Sequence, residues 1–343
     1  MKKVLIGVAA LLAVLVVVAF ALPFIVPTGP VRDRIVAEVT AATGRDLRID
    51  GPVRLSVFPS VAVTVGDVTL ANAPGTSRPQ MVQLGRLDVS VSLLPLLSGE
   101  IEVKRLILRE PSIWLEVDEN GTPNWVFDTA APPAAAEPAP DAPTQGGFSI
   151  GALRLGEVAI VDGRIGYLDV RSGQAYAIDD LDVEIALPSL DDPLAIDGDL
   201  VFQERALAFQ LGVDTPRPLV EGGESDVRLS LAGNPLDFTF DGRLSTAGPP
   251  ETSGRLSLTV PSLASVGDWL GLALPKEGLP VDRVALTGTL AGTPARIAFE
   301  EAALKVDDIE ATGDLAVALD GPRPAIGGRL AVGLLDLDAL LPP

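Results

Sequence analysis

The chain has 343 residues and a formal net charge of −20, and its one dense basic element is the Lys2-Lys3 pair at the start. Proteins grip phosphate backbones by displacing counterions with positive charge, so nucleic-acid binding is excluded. Cysteine and histidine are both absent, which removes disulfide frameworks, thiolate nucleophiles, Cys/His zinc centres and imidazole bases. The chain is therefore expected to be non-enzymatic, with no cofactor, metal or catalytic residue.

Val4 to Val26 is an unbroken run of uncharged, mostly apolar residues. At about 1.5 Å per residue a helix of this length spans roughly 35 Å, enough for one crossing of a ~30 Å hydrocarbon core. Lys2 and Lys3 precede it, which places the N-terminus on the cytoplasmic side. The run is longer than a signal-peptide core, and its end, Leu22-Pro23-Phe24-Ile25-Val26-Pro27, is a poor cleavage site, so residues 1–27 are read as a retained anchor. Thr28 then caps a helix over Gly29 to Thr43, with Val31, Ile35, Val39 and Ala42 on one face and Gly44 as its stop. Arg32, Arg34 and Arg45 either meet lipid head groups from it or belong to an ordinary capping helix.

From Pro52 the apolar period falls to two. Val53-Leu55-Val57, Val61-Val63-Val65, Val68-Leu70, Leu87-Val89-Val91-Leu93, Leu106-Leu108 and Ile113-Leu115-Val117 each read as a half-buried strand. Asp118-Glu119-Asn120-Gly121 is a tight-turn signal, and Trp125-Phe127 is expected to start a return strand, with Trp114 as the cross-strand neighbour of Trp125. Residues 28–128 thus form a helix plus one antiparallel sheet.

Residues 129–147 are a Pro/Ala-rich linker with nothing to bury. Strand patterns resume over residues 148–343, including Leu181-Val183-Ile185-Leu187 and Leu256-Leu258-Val260, and a short helix is predicted over Ser262 to Leu272. In all, about twenty short strands are expected, consistent with 34 Gly and 30 Pro punctuating the chain. Six G-x-L triplets, at Gly198, Gly242, Gly254, Gly288, Gly313 and Gly328, are read as strand starts in a repetitive, quasi-one-dimensional stack. The acidic groups Asp179-Asp180-Asp182-Glu184, Asp191-Asp192, Glu300-Glu301 and Asp307-Asp308 are read as solvated strand ends and turns.

Several segments together resemble the AsmA family of inner-membrane-anchored periplasmic proteins. They are Gly51 to Pro59 (GPVRLSVFP), Leu93 to Gly99 (LLPLLSG), Leu108-Arg109-Glu110-Pro111 and Asp118 to Trp125 (DENGTPNW), followed by the linker, Asp162 to Asp169 (DGRIGYLD) and Leu335 to Leu341 (LDLDALL). The resemblance implies a bacterial inner-membrane location, a periplasmic body with a chorein-like first part, and a role in outer-membrane biogenesis. Through the TamB-like relatives it also implies bridge-type lipid carriage, with membrane phospholipid as partner. A scaffold or assembly factor for other envelope proteins, carrying no lipid, is the alternative.

The fold class expected is mainly β: an anchor helix, then an elongated, curved antiparallel sheet with a few short helices. Period-two patterns read identically for an open apolar gutter and for a closed sandwich. If the gutter is open, Val89, Val91, Leu93, Val183, Ile185, Leu187, Leu256, Leu258 and Val260 are its expected lining. Valine, leucine and isoleucine suit an acyl chain, and an aromatic content of 4% disfavours sugar or base stacking.

Overall fold

The computed structural model describes residues 29–56, 61–92, 103–127, 155–271, 282–320 and 325–333. The anchor run, Leu93 and the segment around it, the Pro/Ala-rich stretch and the terminal Leu-Asp-Leu-Asp segment lie outside the described residues. Among the described residues no helix is long and apolar enough to cross a membrane. The fold is mainly β, built as open sheet with few helices, and divides into two compact units, Met1–Asp182 and Val183–Pro343.

The first unit opens with helix α1 (Gly29–Thr43), which ends where Gly44 takes φ +67 as the sequence predicts. Among the described residues seven strands follow: β1 (Leu47–Ile49), β2 (Val53–Ser56), β3 (Val61–Ala71), β4 (Gln80–Val91), β5 (Val103–Val117), β6 (Leu155–Asp169) and β7 (Gln174–Leu187), whose last residues belong to the second unit. Their order is β1-β3-β4-β5-β6-β7, with β2 also on β3. α1 packs on β1.

Two expectations fail here. Trp125-Phe127 starts no return strand, because after Val117 the chain makes its turn, pairs Val117 once with Pro123 and folds back on itself. The neighbour of β5 is instead β6, and that pair is parallel, Leu106 facing Val158 and Leu115 facing Tyr167. Parallel neighbours require a long crossover, and residues 118–154 supply the chain for one.

Among the described residues the second unit is a ladder of nine strands in sequence order: β8 (Leu194–Phe202), β9 (Arg205–Val213), β10 (Glu224–Gly233), β11 (Asp237–Ser245), β12 (Glu251–Val260), β13 (Val284–Thr293), β14 (Arg296–Val306), β15 (Ile309–Ala318) and β16 (Ala325–Val332). Each registered pair is antiparallel. Two short helices sit at strand ends: α2 (Pro216–Val220) and α3 (Leu263–Leu270). The cap expected of Ser262 is present, its hydroxyl accepting from the Ser265 amide at 3.2 Å. Trp269 of α3 meets the Phe202 ring edge-on at 5.6 Å and donates to the Phe202 carbonyl at 2.9 Å, so α3 reaches back to the end of β8.

Candidate functional site: an uncovered apolar face

In the second unit, strand register gathers the apolar residues onto one face. Leu229 faces Leu211 and Phe240, and Leu231 faces Phe209 and Phe238. Phe240 faces Leu256, Phe238 faces Leu258, Leu258 faces Leu286 and Val260 faces Val284. Leu286 continues to Leu304, and Leu290 to Phe299 and Leu315. The other face carries Asp226, Arg243, Arg255, Thr287 and Lys305, with ion pairs such as Arg243–Asp226 at 3.3 Å and Lys305–Glu310 at 2.8 Å.

A sheet face under a second layer is buried; this one is mostly not. Leu211, Val227, Leu231, Phe238, Phe240, Leu258, Leu286, Leu304 and Leu315 are only half-buried, and Leu229, on an interior strand, is 38% exposed. Leu207, Leu256, Val260 and Leu290 are buried, Leu207 and Val260 lying near the ends of the strands that α3 joins. Among the described residues the second unit is therefore an open, single-layer sheet with an exposed greasy side, and not half of a closed sandwich.

The G-x-L glycines lie mid-strand on this face, not at strand starts as expected. A Cβ on Gly242 would strike Gly254 and the Ser253 carbonyl, one on Gly254 would strike Gly242, and one on Gly313 would strike the Arg329 carbonyl. Their role is close approach between strands, which bends the sheet. At β14 the bend is a true bulge: Glu301 takes φ +51, the register against β13 and β15 shifts there, and Ala302 is fully buried.

The first unit bends differently. Asp67, Glu110, Asp162 and Asp180, in the middle of β3, β5, β6 and β7, all take positive φ, between +47 and +56. They fall on one line across the sheet, since Gly66 faces Arg86, Arg86 faces Arg109, Arg109 faces Val161, and the Asp162 amide donates to Asp182 at 3.1 Å. β4 makes the same shift at Gly85, where a Cβ would lie 3.3 Å from that of Glu110, and the break between β1 and β2 at Gly51-Pro52 lies against Gly66. Each strand spends one extra residue on this crease, so its apolar alternation changes phase there: 61, 63, 65 then 68, 70 in β3, and 106, 108 then 113, 115, 117 in β5. The phase change keeps apolar side chains on one side of both flanks.

In sequence the two flanks of the crease read as separate strands in β3 and β5. That is why about twenty strands were expected where sixteen are described. The sequence reading also misplaced Asp179, Asp180, Asp182 and Glu184, which lie inside β7, and Glu300-Glu301, which lie inside β14; Asp191-Asp192 and Asp307-Asp308 are in turns as expected. Among the described residues no three acidic side chains group closely enough to hold a metal ion.

Of the expected lining, Val89 pairs with Val63 and Leu106, and Val91 with Val61 and Val103, all in the first unit. Val183, Ile185 and Leu187 share one face of β7, with Val183 and Leu187 buried and Ile185 half-buried. Leu256, Leu258 and Val260 stand together on β12. Leu93 lies outside the described residues. Sequence reasoning missed Phe238, Phe240, Leu286 and Phe299, although their alternation was visible.

A buried polar cluster holds one end of the first unit. Glu116 and Asn124 are each 2% exposed. Glu116 accepts from the Ser77 amide (2.9 Å), the Ser77 hydroxyl and Trp114 Nε1 (2.9 Å). Burial alone would raise its pKa; these donors and the Arg78 charge outweigh burial and hold it below the usual glutamate value. Asn124 accepts from the Glu116 amide at 3.0 Å and donates to Asn72 at 2.9 Å and to the Trp114 carbonyl at 2.8 Å. Arg45, expected either to face lipid head groups or to sit on a capping helix, turns inward to the Asn124 carbonyl and lies over the Phe127 ring at 5.0 Å. Trp114 is covered by Arg78 at 3.7 Å, while Trp125 packs on Tyr167, so the two tryptophans are not cross-strand partners.

The profile of the AsmA family matches residues 1–231 of this chain. Protein AsmA of Escherichia coli (strain K12) is 36% identical over 115 residues, which are 34% of this chain and 18% of that relative. The aligned stretch thus spans under a fifth of the relative's length. No solved structure matches.

Proposed function

The chain belongs to the AsmA family, and on that premise we propose that it is an envelope protein of outer-membrane biogenesis that holds phospholipid acyl chains against its apolar sheet faces. In this reading residues 1–27 anchor it in the inner membrane and the β body lies in the periplasm, without enzymatic activity. The observation that carries the proposal is the half-buried apolar face of the second unit, left without a covering layer among the described residues.

Exposing two acyl chains to water costs on the order of 20 kcal/mol, at ~0.8 kcal/mol for each of roughly thirty methylenes. Diffusion of free phospholipid through water is negligible against such a cost, and an apolar wall removes most of it. Head groups would stay in solvent along the open side. The test is to purify the full chain from membranes and identify co-purifying lipid by mass spectrometry after exhaustive detergent exchange. Stoichiometric phospholipid is expected; its repeated absence from folded protein would refute lipid holding.

One observation favours the scaffold reading. β16 is exposed along its whole length, with Ile326 77% exposed, and pairs only with β15 among the described strands. Such an edge can accept a strand from another envelope protein. A partner captured at β16 together with lipid-free sheet faces would support it.

A further inference from the structure

The chain has two tyrosines and three tryptophans, and both tyrosines and one tryptophan meet at a single exposed rim of the first unit. Trp125 lies 6.3 Å from Tyr167, and Tyr167 stacks on Tyr176 at 6.0 Å. Trp125 and Tyr176 are each 38% exposed, and Val126 and Val170 beside them are 58% and 37% exposed. In a chain so poor in aromatics, this is a concentrated amphipathic patch of rings with polar edges. Trp and Tyr favour the zone between phospholipid head groups and acyl chains, where one side of the ring is greasy and the other wet.

The chain just after α1 reaches the residues flanking this rim. Arg45, just beyond the end of α1, donates to the Asn124 carbonyl and covers Phe127. α1 begins only three residues after Val26, the last residue of the apolar run. A 15-residue helix is about 22 Å long, so Arg45 stands about one helix length from the helix start, and the rim beside it reaches the membrane surface when α1 lies along that surface.

We propose that the Trp125–Tyr167–Tyr176 rim docks into the interface of the bilayer that holds the Val4–Val26 run. The inference rests on the membrane-anchored part of the proposed function and not on lipid holding by the sheet. The guanidinium groups at the rim are engaged, Arg171 with Asp169 at 3.2 Å, Arg78 with Trp114 and Arg45 with Asn124. The docking is therefore aromatic, and zwitterionic head groups suffice for it.

The experiment uses the full chain in phosphatidylcholine vesicles doped with phospholipid carrying a nitroxide at the head group, or shallow or deep in the acyl chain. Trp125 is read as the difference between the unmodified chain and Trp125→Phe, and a Phe240→Trp probe reports the sheet face of the second unit. The expected result is at least twofold quenching of Trp125 by head-group and shallow labels, weaker quenching by the deep label, and no change when anionic lipid is added. Trp125 unquenched by every label in protein with native circular dichroism would overturn the proposal, as would burial of the rim against a second copy. Quenching at Trp125 without quenching at Phe240→Trp upholds the rim and counts against lipid holding; the reverse pattern overturns the rim alone.

Discussion

Gly242 on β11 stands opposite Gly254 on β12, and a methyl group on either would enter the backbone of the other strand. Alanine in a strand ordinarily stabilises relative to glycine, by about 0.5–1 kcal/mol. Here the crowding reverses the sign. Gly242→Ala and Gly254→Ala should each cost about 2 kcal/mol, whereas Gly248→Ala, with nothing within 4 Å, should be neutral to within about 0.5 kcal/mol. Thermal unfolding followed by circular dichroism measures all three.

The crease of the first unit makes a different prediction. Asp162 holds φ +56, which glycine adopts without steric cost, so Asp162→Gly should stabilise by up to about 1 kcal/mol. Deleting Asp162 removes the phase change and turns Ile165 and Tyr167 to the opposite side of β6. That variant should lose the cooperative transition of the first unit in urea, while Asp162→Gly keeps it.

Glu116 should be the most sensitive polar position. Its removal leaves the half-buried Trp114 Nε1 without its acceptor and breaks the two bonds from the exposed Ser77, so Glu116→Ala should cost about 2 kcal/mol. Because the pKa of its folded form is depressed, its contribution is complete above the ordinary glutamate value of about 4.3 and is lost as pH falls below it. Below about pH 4.3 the melting temperature of the unmodified chain should fall more steeply than that of Glu116→Gln. Parallel slopes would remove Glu116 from the acid sensitivity.

Charge on the apolar faces should separate folding from lipid holding. Leu258 is half-buried, so Leu258→Glu should fold and lose co-purified lipid. Val183 is 8% exposed, so Val183→Glu should unfold its surroundings, as an unpaired buried charge does. Loss of cooperative unfolding in both would mean that Leu258 lies in a closed core.

Period-two alternation made the strands of the second unit legible, as helical spacing, Gly44 and Ser262 did for α1 and α3. The first unit was read less well, for a local reason. Asp67, Glu110, Asp162 and Asp180 break the alternation by one residue, and in sequence a phase change inside a strand looks like a turn between two. Three segments used for the family resemblance, those beginning at Gly51, Leu108 and Asp162, fall on this crease. The parallel pairing of β5 with β6 was hidden because a tight-turn signal at Asp118–Gly121 normally announces an antiparallel return. The open face could not be separated from a sandwich until the half-burial of Phe238, Phe240 and Leu258 was in view.

Site-specific photocrosslinking tests most directly whether the apolar face holds lipid. A benzophenone side chain would replace Leu258 or Phe240 on the apolar face, and Ser257 or Thr239 on the polar face of the same strands, in full-length protein in cells labelled with radioactive phosphate. The account predicts phospholipid adducts at Leu258 and Phe240 and background at Ser257 and Thr239. Equal labelling of both faces, or no adduct at any of the four positions in folded protein, would contradict it.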